Sequence, residues 1–315
     1  MSGQECPRSA PLSLDSLRAR GKRALAETLV RLERHSDDPV IGTLLDEAWQ
    51  SPRAHVVGVT GPPGVGKSSL CAALVASWRR SDRTVAVIAV DPSSQRSGGA
   101  LLGDRTRIAT DPADAGCFVR SMAARDRLGG LADLTVAATV VMRALYDVVL
   151  IETVGVGQSE TDVAGVADSV VFCVQPGSGD ALQFMKAGIV EIPHVVAVTK
   201  GDLGSPAERA QSDVAGALSL ADEAGDGWLP MVLVVSAQSG LGIPALLAAI
   251  DAHRAHLDLG GRLGAARLAQ AELWLREAIR DRFGREGLER AGELRLTASQ
   301  SPFARIAEIS RNLRV

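Results

Sequence analysis

Lysine is scarce in this 315-residue chain: it occurs only at Lys22, Lys67, Lys186 and Lys200, so 30 of the 34 basic residues are arginine. Cysteine is scarce too. Cys6, Cys71, Cys117 and Cys173 are scattered, with no CxxC pair and no Cys/His cluster. That spacing removes any local case for a zinc or nickel site and suits a reducing cytoplasm. No apolar run reaches the length of a membrane span. Residues 1–7 lack the basic start and apolar core of a signal peptide, so a cytoplasmic location is expected. Charge excess is missing as well, since the net charge is −3. A near-neutral chain does not read as a general nucleic-acid or membrane-surface binder. Internal repeats and low-complexity tracts are also absent. What remains is 46% hydrophobic and 23% charged, enough to bury a sizeable core. The length suits one large domain with extensions, or two modest ones.

The chain is organised around Gly61-Pro62-Pro63-Gly64-Val65-Gly66-Lys67-Ser68-Ser69, which fits G-x-x-x-x-G-K-[ST]. Residues 54–60 ahead of it read as a buried strand, and residues 69–78 after it as a helix. Strand, glycine loop and helix together are the context that this motif requires. The loop amides and the helix N-terminus form a nest for an anion. Lys67 would reach the β- and γ-phosphates of a nucleotide, and Ser68 would offer its hydroxyl to Mg²⁺. A compact ammonium suits a phosphate loop, and arginine is not an equivalent there. Two of the four lysines fall in nucleotide motifs.

Taken in order, residues 1–50 read as an N-terminal helical extension. Leu14, Leu17, Leu25, Leu29 and Leu32 give an amphipathic pattern with some slippage, Pro39 breaks it, and 41–49 resumes as a shorter helix. Residues 51–250 alternate strands with helices and form the nucleotide domain. Strands are predicted at 54–60, 84–90, 117–122, 147–151, 169–175, 194–199 and 231–236. Most are near-continuous runs of Val, Ile, Leu and Ala, as expected where helices cover both sheet faces. The fold class is α/β, a three-layer P-loop NTPase sandwich with a mainly parallel sheet. Residues 251–315 are helical again, with apolar contacts expected from Leu263, Ala266, Leu273, Leu275, Ile279 and Phe283.

Functional residues of such a sheet gather past the C-terminal ends of its strands. Asp91 follows the second strand and is a candidate for the Mg²⁺ or attacking-water region, although Asp-Pro is also a common turn. Asp104, in a glycine-rich loop, is a second candidate carboxylate. Glu152 with Gly155 occupies the place of a Walker-B acid and a γ-phosphate-sensing glycine. The carboxylate would hold Mg²⁺ directly or through water, and the glycine would let an N–H approach the phosphate. Thr199-Lys200-Gly201-Asp202 addresses the base. Asp202 can accept from guanine N1–H and N2–H₂ together, a discrimination of roughly 1–3 kcal/mol by analogy with bidentate base contacts. Lys200 would lie along the base plane, and Ser236-Ala237-Gln238 would add a backbone amide for guanine O6.

With these residues in place, the chain resembles the methylmalonyl-CoA-mutase-associated GTPases, the MeaB/ArgK family. GPPGVGKSS, VAVIAVDPSS, SGGALLGDRTR, FVRSMAARDRLGGL, YDVVLIETVGVGQSE and PGSGDALQ carry the resemblance, which spans roughly residues 20–310. It implies a GTP-binding, GTP-hydrolysing metallochaperone that gates cofactor delivery to an adenosylcobalamin-dependent acyl-CoA mutase and protects or reactivates it. It further implies a homodimer joined by a C-terminal arm at 251–315, and a cobalamin adenosyltransferase as a further partner. The family's Mg²⁺ and switch carboxylates correspond to Asp91, Asp104 and Glu152, and its guanine site to Lys200, Asp202 and Ser236 to Gln238. Two positions depart from the family pattern. Thr199 stands where Asn is usual, and its hydroxyl can still bond to the phosphate loop, so guanine preference is expected to be weakened but retained. Asp126 stands where relatives carry Gly after Arg125, in a region expected to sense the mutase.

Two other readings compete. A transport-linked ATPase or kinase needs an acceptor pocket that no sequence feature supplies, and a nickel insertase needs the Cys/His cluster that the chain lacks.

Overall fold

The computed structural model describes residues 12–35, 38–91, 111–123, 133–153, 155, 162–177, 192–219 and 227–313, without the side chains of Asp91, Ala123 and Asp133. All seven predicted strands form: β1 (His55–Thr60), β2 (Val85–Asp91), β3 (Cys117–Ala123), β4 (Val148–Glu152), β5 (Ser169–Val174), β6 (Val195–Val198) and β7 (Met231–Val234). They make one sheet in the order β3-β2-β4-β1-β5-β6-β7, and every pairing is parallel. With all strands running one way, every strand end that carries a candidate residue lies along the same edge. β1 sits centrally, between β4 and β5.

The helices among the described residues are α1 (Leu14–Arg34), α2 (Pro39–Gln50), α3 (Lys67–Arg80), α4 (Asp133–Leu145), α5 (Ser205–Leu218), α6 (Ile243–Asp258), α7 (Arg262–Arg290) and α8 (Pro302–Leu313). Strand side chains alternate between two faces. Val56, Ile88, Val149 and Ile151 join α1, α2 and α4 on one side, while Val57, Val87, Leu150 and Val171 join α3 and α6 on the other. Covering on both sides explains why the strands are apolar throughout. None of the described helices is long and apolar enough to cross a membrane.

The first helix is not continuous. Gly21 adopts φ 68 and ψ −155, so α1 is two helical pieces joined at a kink. Leu14 and Leu17 of the first piece and Leu25, Leu29 and Leu32 of the second are all buried in one core. Pro39 begins α2 at its first turn, where its missing N–H is no loss, and Asp38 caps it by accepting from Val40 N. At the other end, Ser301 accepts from Phe303 N to cap α8, again just before a proline.

The buried face of α7 differs from the apolar set expected. Ala266 and Leu273 are exposed, and the buried face of α7 is built from Arg267, Ala271, Leu275, Ala278 and Ile279. Arg267 is inside because it forks onto Asp168, at 2.8 Å from Nε and 2.6 Å from Nη2, and also donates to Ala54 O. A helix whose buried stripe contains an arginine misleads a count of apolar residues.

Candidate functional site

The loop after β1 turns on conformations that side chains resist. Gly61 has φ +133, and a Cβ there would lie 2.3 Å from Cys173 O. Gly66 precedes α3 in a left-handed conformation and no side chain caps the helix, so its first amides face the loop. Lys67 is the first residue of α3 and is buried. Its ammonium donates to Gly61 O at 2.7 Å and Pro62 O at 2.9 Å. Uncapped amides, a helix N-terminus and a buried cation make this an anion-binding concavity. Pro62, Pro63, Gly64 and Val65 complete the turn, with Val65 buried beneath it, and Ser69 lies in the first turn of α3.

The end of β4 closes against this loop. Ser68 Oγ donates to Glu152 Oε1 at 2.5 Å, and Glu152 is buried at the strand end. Thr153 Oγ1 bonds to Thr60 Oγ1 at 2.8 Å, holding the two strand ends side by side. Gly155 then passes so near that an added Cβ would lie 2.0 Å from Gly61 O and 2.4 Å from Lys67 Nζ, at φ +77. Only glycine fits there. A hydroxyl paired with a carboxylate is an oxygen donor set of the kind a hard cation takes, and Mg²⁺ fits it. Asp91 ends β2, the strand beside β4, but its side chain is outside the described atoms, as is the whole of Asp104. Among the described residues, no group of three His, Cys, Asp or Glu side chains gathers as a metal site. The nearby thiols of Cys71 and Cys173 are buried, and burial pushes the Cys173 pKa up to about 12 and that of Cys71 well above its ordinary value. Both are inert in this position.

The ends of β6 and β7 form the other half. Thr199 is buried, and its hydroxyl lies 2.7 Å from Val65 O and 2.9 Å from Val174 O. The expected bond from this hydroxyl to the phosphate loop is therefore present. Lys200 adopts φ +55, unusual for a residue with a side chain, and its ammonium bonds to Gln175 Oε1. Asp202 is exposed and accepts from Ser236 Oγ at 2.6 Å. That hydroxyl bond, helped by the backbone N–H of Asp202, holds its carboxyl below the usual range. Ser236 also accepts from Ser239 N, while Ala237 is half-buried and Gln238 exposed beside it.

Lys67, Ser68, Glu152, Gly155, Thr199, Lys200, Asp202 and Ser236 thus share one sheet edge, linked by contacts that span up to 134 residues of chain. Asp104, Asp126 and most of the SGGALLGDRTR, VGVGQSE and PGSGDALQ stretches lie outside the described residues. Sequence reasoning missed Thr60, Thr153 and Gln175, whose roles depend on neighbours from other strands. It also missed a polar cluster at the opposite edge of the sheet. There Ser169 Oγ bridges His55 Nε2 at 2.7 Å and His253 Nδ1 at 2.5 Å, and His194 stacks on His253 with centroids 4.0 Å apart.

Comparison with known proteins agrees with this arrangement. A family model described as "Methylmalonyl Co-A mutase-associated GTPase MeaB" matches residues 23–290. A relative from Pyrococcus horikoshii is 38% identical over 263 residues, 82% of this chain and 82% of the relative. The mitochondrial methylmalonic aciduria type A homolog of Mus musculus is 38% identical over 233 residues, 73% of this chain and 56% of that protein. A solved structure of an LAO/AO transport system kinase superposes with a TM-score of 0.69 at 28% identity, covering 96% of each chain.

Proposed function

The chain belongs to the methylmalonyl-CoA mutase-associated GTPases, the MeaB family, and we propose that it serves as the GTP-driven chaperone of an adenosylcobalamin-dependent acyl-CoA mutase. As a member of that family it is a GTPase, converting GTP and water to GDP and phosphate. In the proposed role, the nucleotide state gates cobalamin loading and protects or reactivates the mutase. The observation that carries the reading is the convergence of phosphate-loop, Glu152 and Asp202 clusters on one sheet edge, with Thr199 joining them.

In this reading the loop amides and Lys67 hold the phosphates, and Asp202 with Lys200 selects guanine. Ser68 and Glu152 would hold Mg²⁺, together with Asp91 and Asp104, and the ion would supply neutralisation of charge on the phosphates. Gly155 brings the loop after β4 against the phosphate end. Hydrolysis then needs positioning and electrostatics rather than a covalent residue, and an unassisted rate on the order of 10⁻⁴ to 10⁻² per second is expected. Residues 51–250 form the GTPase domain, with 1–50 as an extension and 251–315 as a dimerisation arm of a cytoplasmic homodimer. A cobalamin adenosyltransferase is the proposed source of the cargo.

The experiment is a pull-down of methylmalonyl-CoA mutase, and of related acyl-CoA mutases, on the chain loaded with GTP or with GDP. A severalfold difference between the two states is expected. Equal capture in both would sink the gating role. The solved relative named as a kinase keeps one other reading open to test. Competition of ATP against labelled GTP decides it, and effective competition by ATP would favour the transport-linked ATPase.

A further inference from the structure

A cavity of about 580 Å³ lies where α1, α2, α4, α7 and α8 meet, and none of the strand-end residues described above lines it. Pockets of about 300–1,000 Å³ are the usual size for a small organic ligand. The walls are apolar, formed chiefly by Leu32, Ile41, Leu45, Trp274, Phe303 and Ile306. Such a surface takes an alkyl chain and gives it no orientation.

Orientation comes from the polar lining. Glu33 accepts from Arg120 at 2.5 Å, and Asp38 accepts from Arg31 at 2.7 Å, so both carboxylates are already neutralised within the protein. Arg282 and Arg311 also line the cavity, are exposed, and have no ion-pair or hydrogen-bond partner among the described residues. Beside Arg311 in sequence, Ser310 is only 8% exposed, and its buried hydroxyl has no hydrogen-bond partner. Two uncompensated guanidinium groups and an unsatisfied hydroxyl therefore border one apolar chamber. A buried hydroxyl without a partner carries a desolvation penalty that a ligand acceptor would remove. Guanidinium groups match carboxylate geometry through paired N–H donors.

We propose that this cavity binds one long-chain carboxylate of the fatty-acid class per chain, its alkyl part among Trp274 and Phe303 and its head on Arg282 and Arg311. The site is independent of the nucleotide crevice in both residues and chemistry.

Calorimetric titration of the full chain with dodecanoate, below its micelle concentration, tests this. One saturable site per chain is expected. The double variant Arg282→Ala/Arg311→Ala should weaken it at least tenfold, and dodecanol should bind at least tenfold more weakly than dodecanoate. Ala307→Trp, at an exposed position lining the chamber, should abolish binding by filling it. Both exposed-arginine changes leave the core untouched, and an unchanged thermal melt keeps a folding defect from mimicking the result. The proposal is overturned by absence of saturation, by equal affinity for dodecanol, or by an unaffected arginine variant. It is also overturned if sedimentation shows two chains associating through this face and Ala307→Trp dissociating them.

Discussion

The hydroxyl of Thr199, at the end of β6, meets the carbonyl of Val65 in the loop after β1 at 2.7 Å, so the loops that follow β6 and β1 are joined by one proton. The same hydroxyl lies 2.9 Å from Val174 O, and a hydroxyl has only one proton to share between the two. An asparagine amide would bring two. Thr199→Val keeps the shape and strips the donor, leaving the Val65 carbonyl short of a partner at roughly 1–3 kcal/mol. GTP affinity should fall about tenfold or more, and Thr199→Asn should equal or exceed the parent. Both are read by equilibrium titration with GTP. An unchanged affinity in Thr199→Val would show that the link has no bearing on nucleotide binding.

Gly155 faces both Gly61 O and Lys67 Nζ within distances no Cβ tolerates. A left-handed backbone there would add roughly 1–2 kcal/mol of strain for alanine. Gly155→Ala should therefore push the two loops apart and lower GTP turnover at least tenfold, while the sheet stays folded. Steady-state phosphate release with a parallel thermal melt checks this. Full turnover at normal stability would remove Gly155 from the site.

Lys67→Ala takes away the buried cation that two loop carbonyls now hold. Tight GTP binding should disappear with little change in fold. Retained affinity and turnover would refute the phosphate-loop assignment.

Arg267 and Asp168 form a buried pair between α7 and the start of β5, reinforced by Val56 N donating to Asp168 Oδ2 at 2.8 Å. Burial alone would raise the Asp168 pKa, but the bonds from Arg267 outweigh it and the net shift is downward. Arg267→Met leaves that carboxylate buried without its partner. A loss of about 3–5 kcal/mol in urea unfolding is expected, as for broken buried pairs generally. A loss below about 1 kcal/mol would mean that Arg254, 4.0 Å away, takes over the charge.

The histidine cluster sets an acid limit. Burial lowers the pKa of His55 to about 4, against the pull of Asp168 and with help from Arg254, Arg267 and Arg83. Burial lowers that of His253 to about 2, assisted by His194, His55 and His256. Both are neutral when folded and titrate near 6.5 when unfolded, so below that pH the unfolded chain binds more protons. Their contribution is complete above pH 6.5 and is lost as pH falls, until His55 protonates in the fold near pH 4. Urea midpoints should drop by the equivalent of roughly 2–3 kcal/mol between pH 6 and pH 5. In His253→Gln the slope should halve. A flat response from pH 7 to 5 would contradict the burial argument.

Much of the fold, and the candidate residues along this sheet edge, are legible in the sequence. The glycine loop, the seven apolar strands and the strand-end acids are local patterns, and local patterns report the pleat, the turn and the helix start directly. Elsewhere the patterns misled. Ala266 and Leu273 are apolar and still face outward, while Arg267 takes the inward position. The leucine spacing of α1 suits a single amphipathic helix, and only the positive φ of Gly21 shows that two helical pieces meet there.

The sequence by itself determined the family, the sheet and the kind of ligand its central loop can cradle, because those rest on residues within a few positions of one another. Tertiary structure alone decided which distant residues meet. Thr199 finds Val65 across 134 positions and Arg267 finds Asp168 across 99. Four of the five histidines gather from β1, the start of β6 and α6. Such pairs depend on strand order and helix placement, which set separations in space that no spacing along the chain encodes.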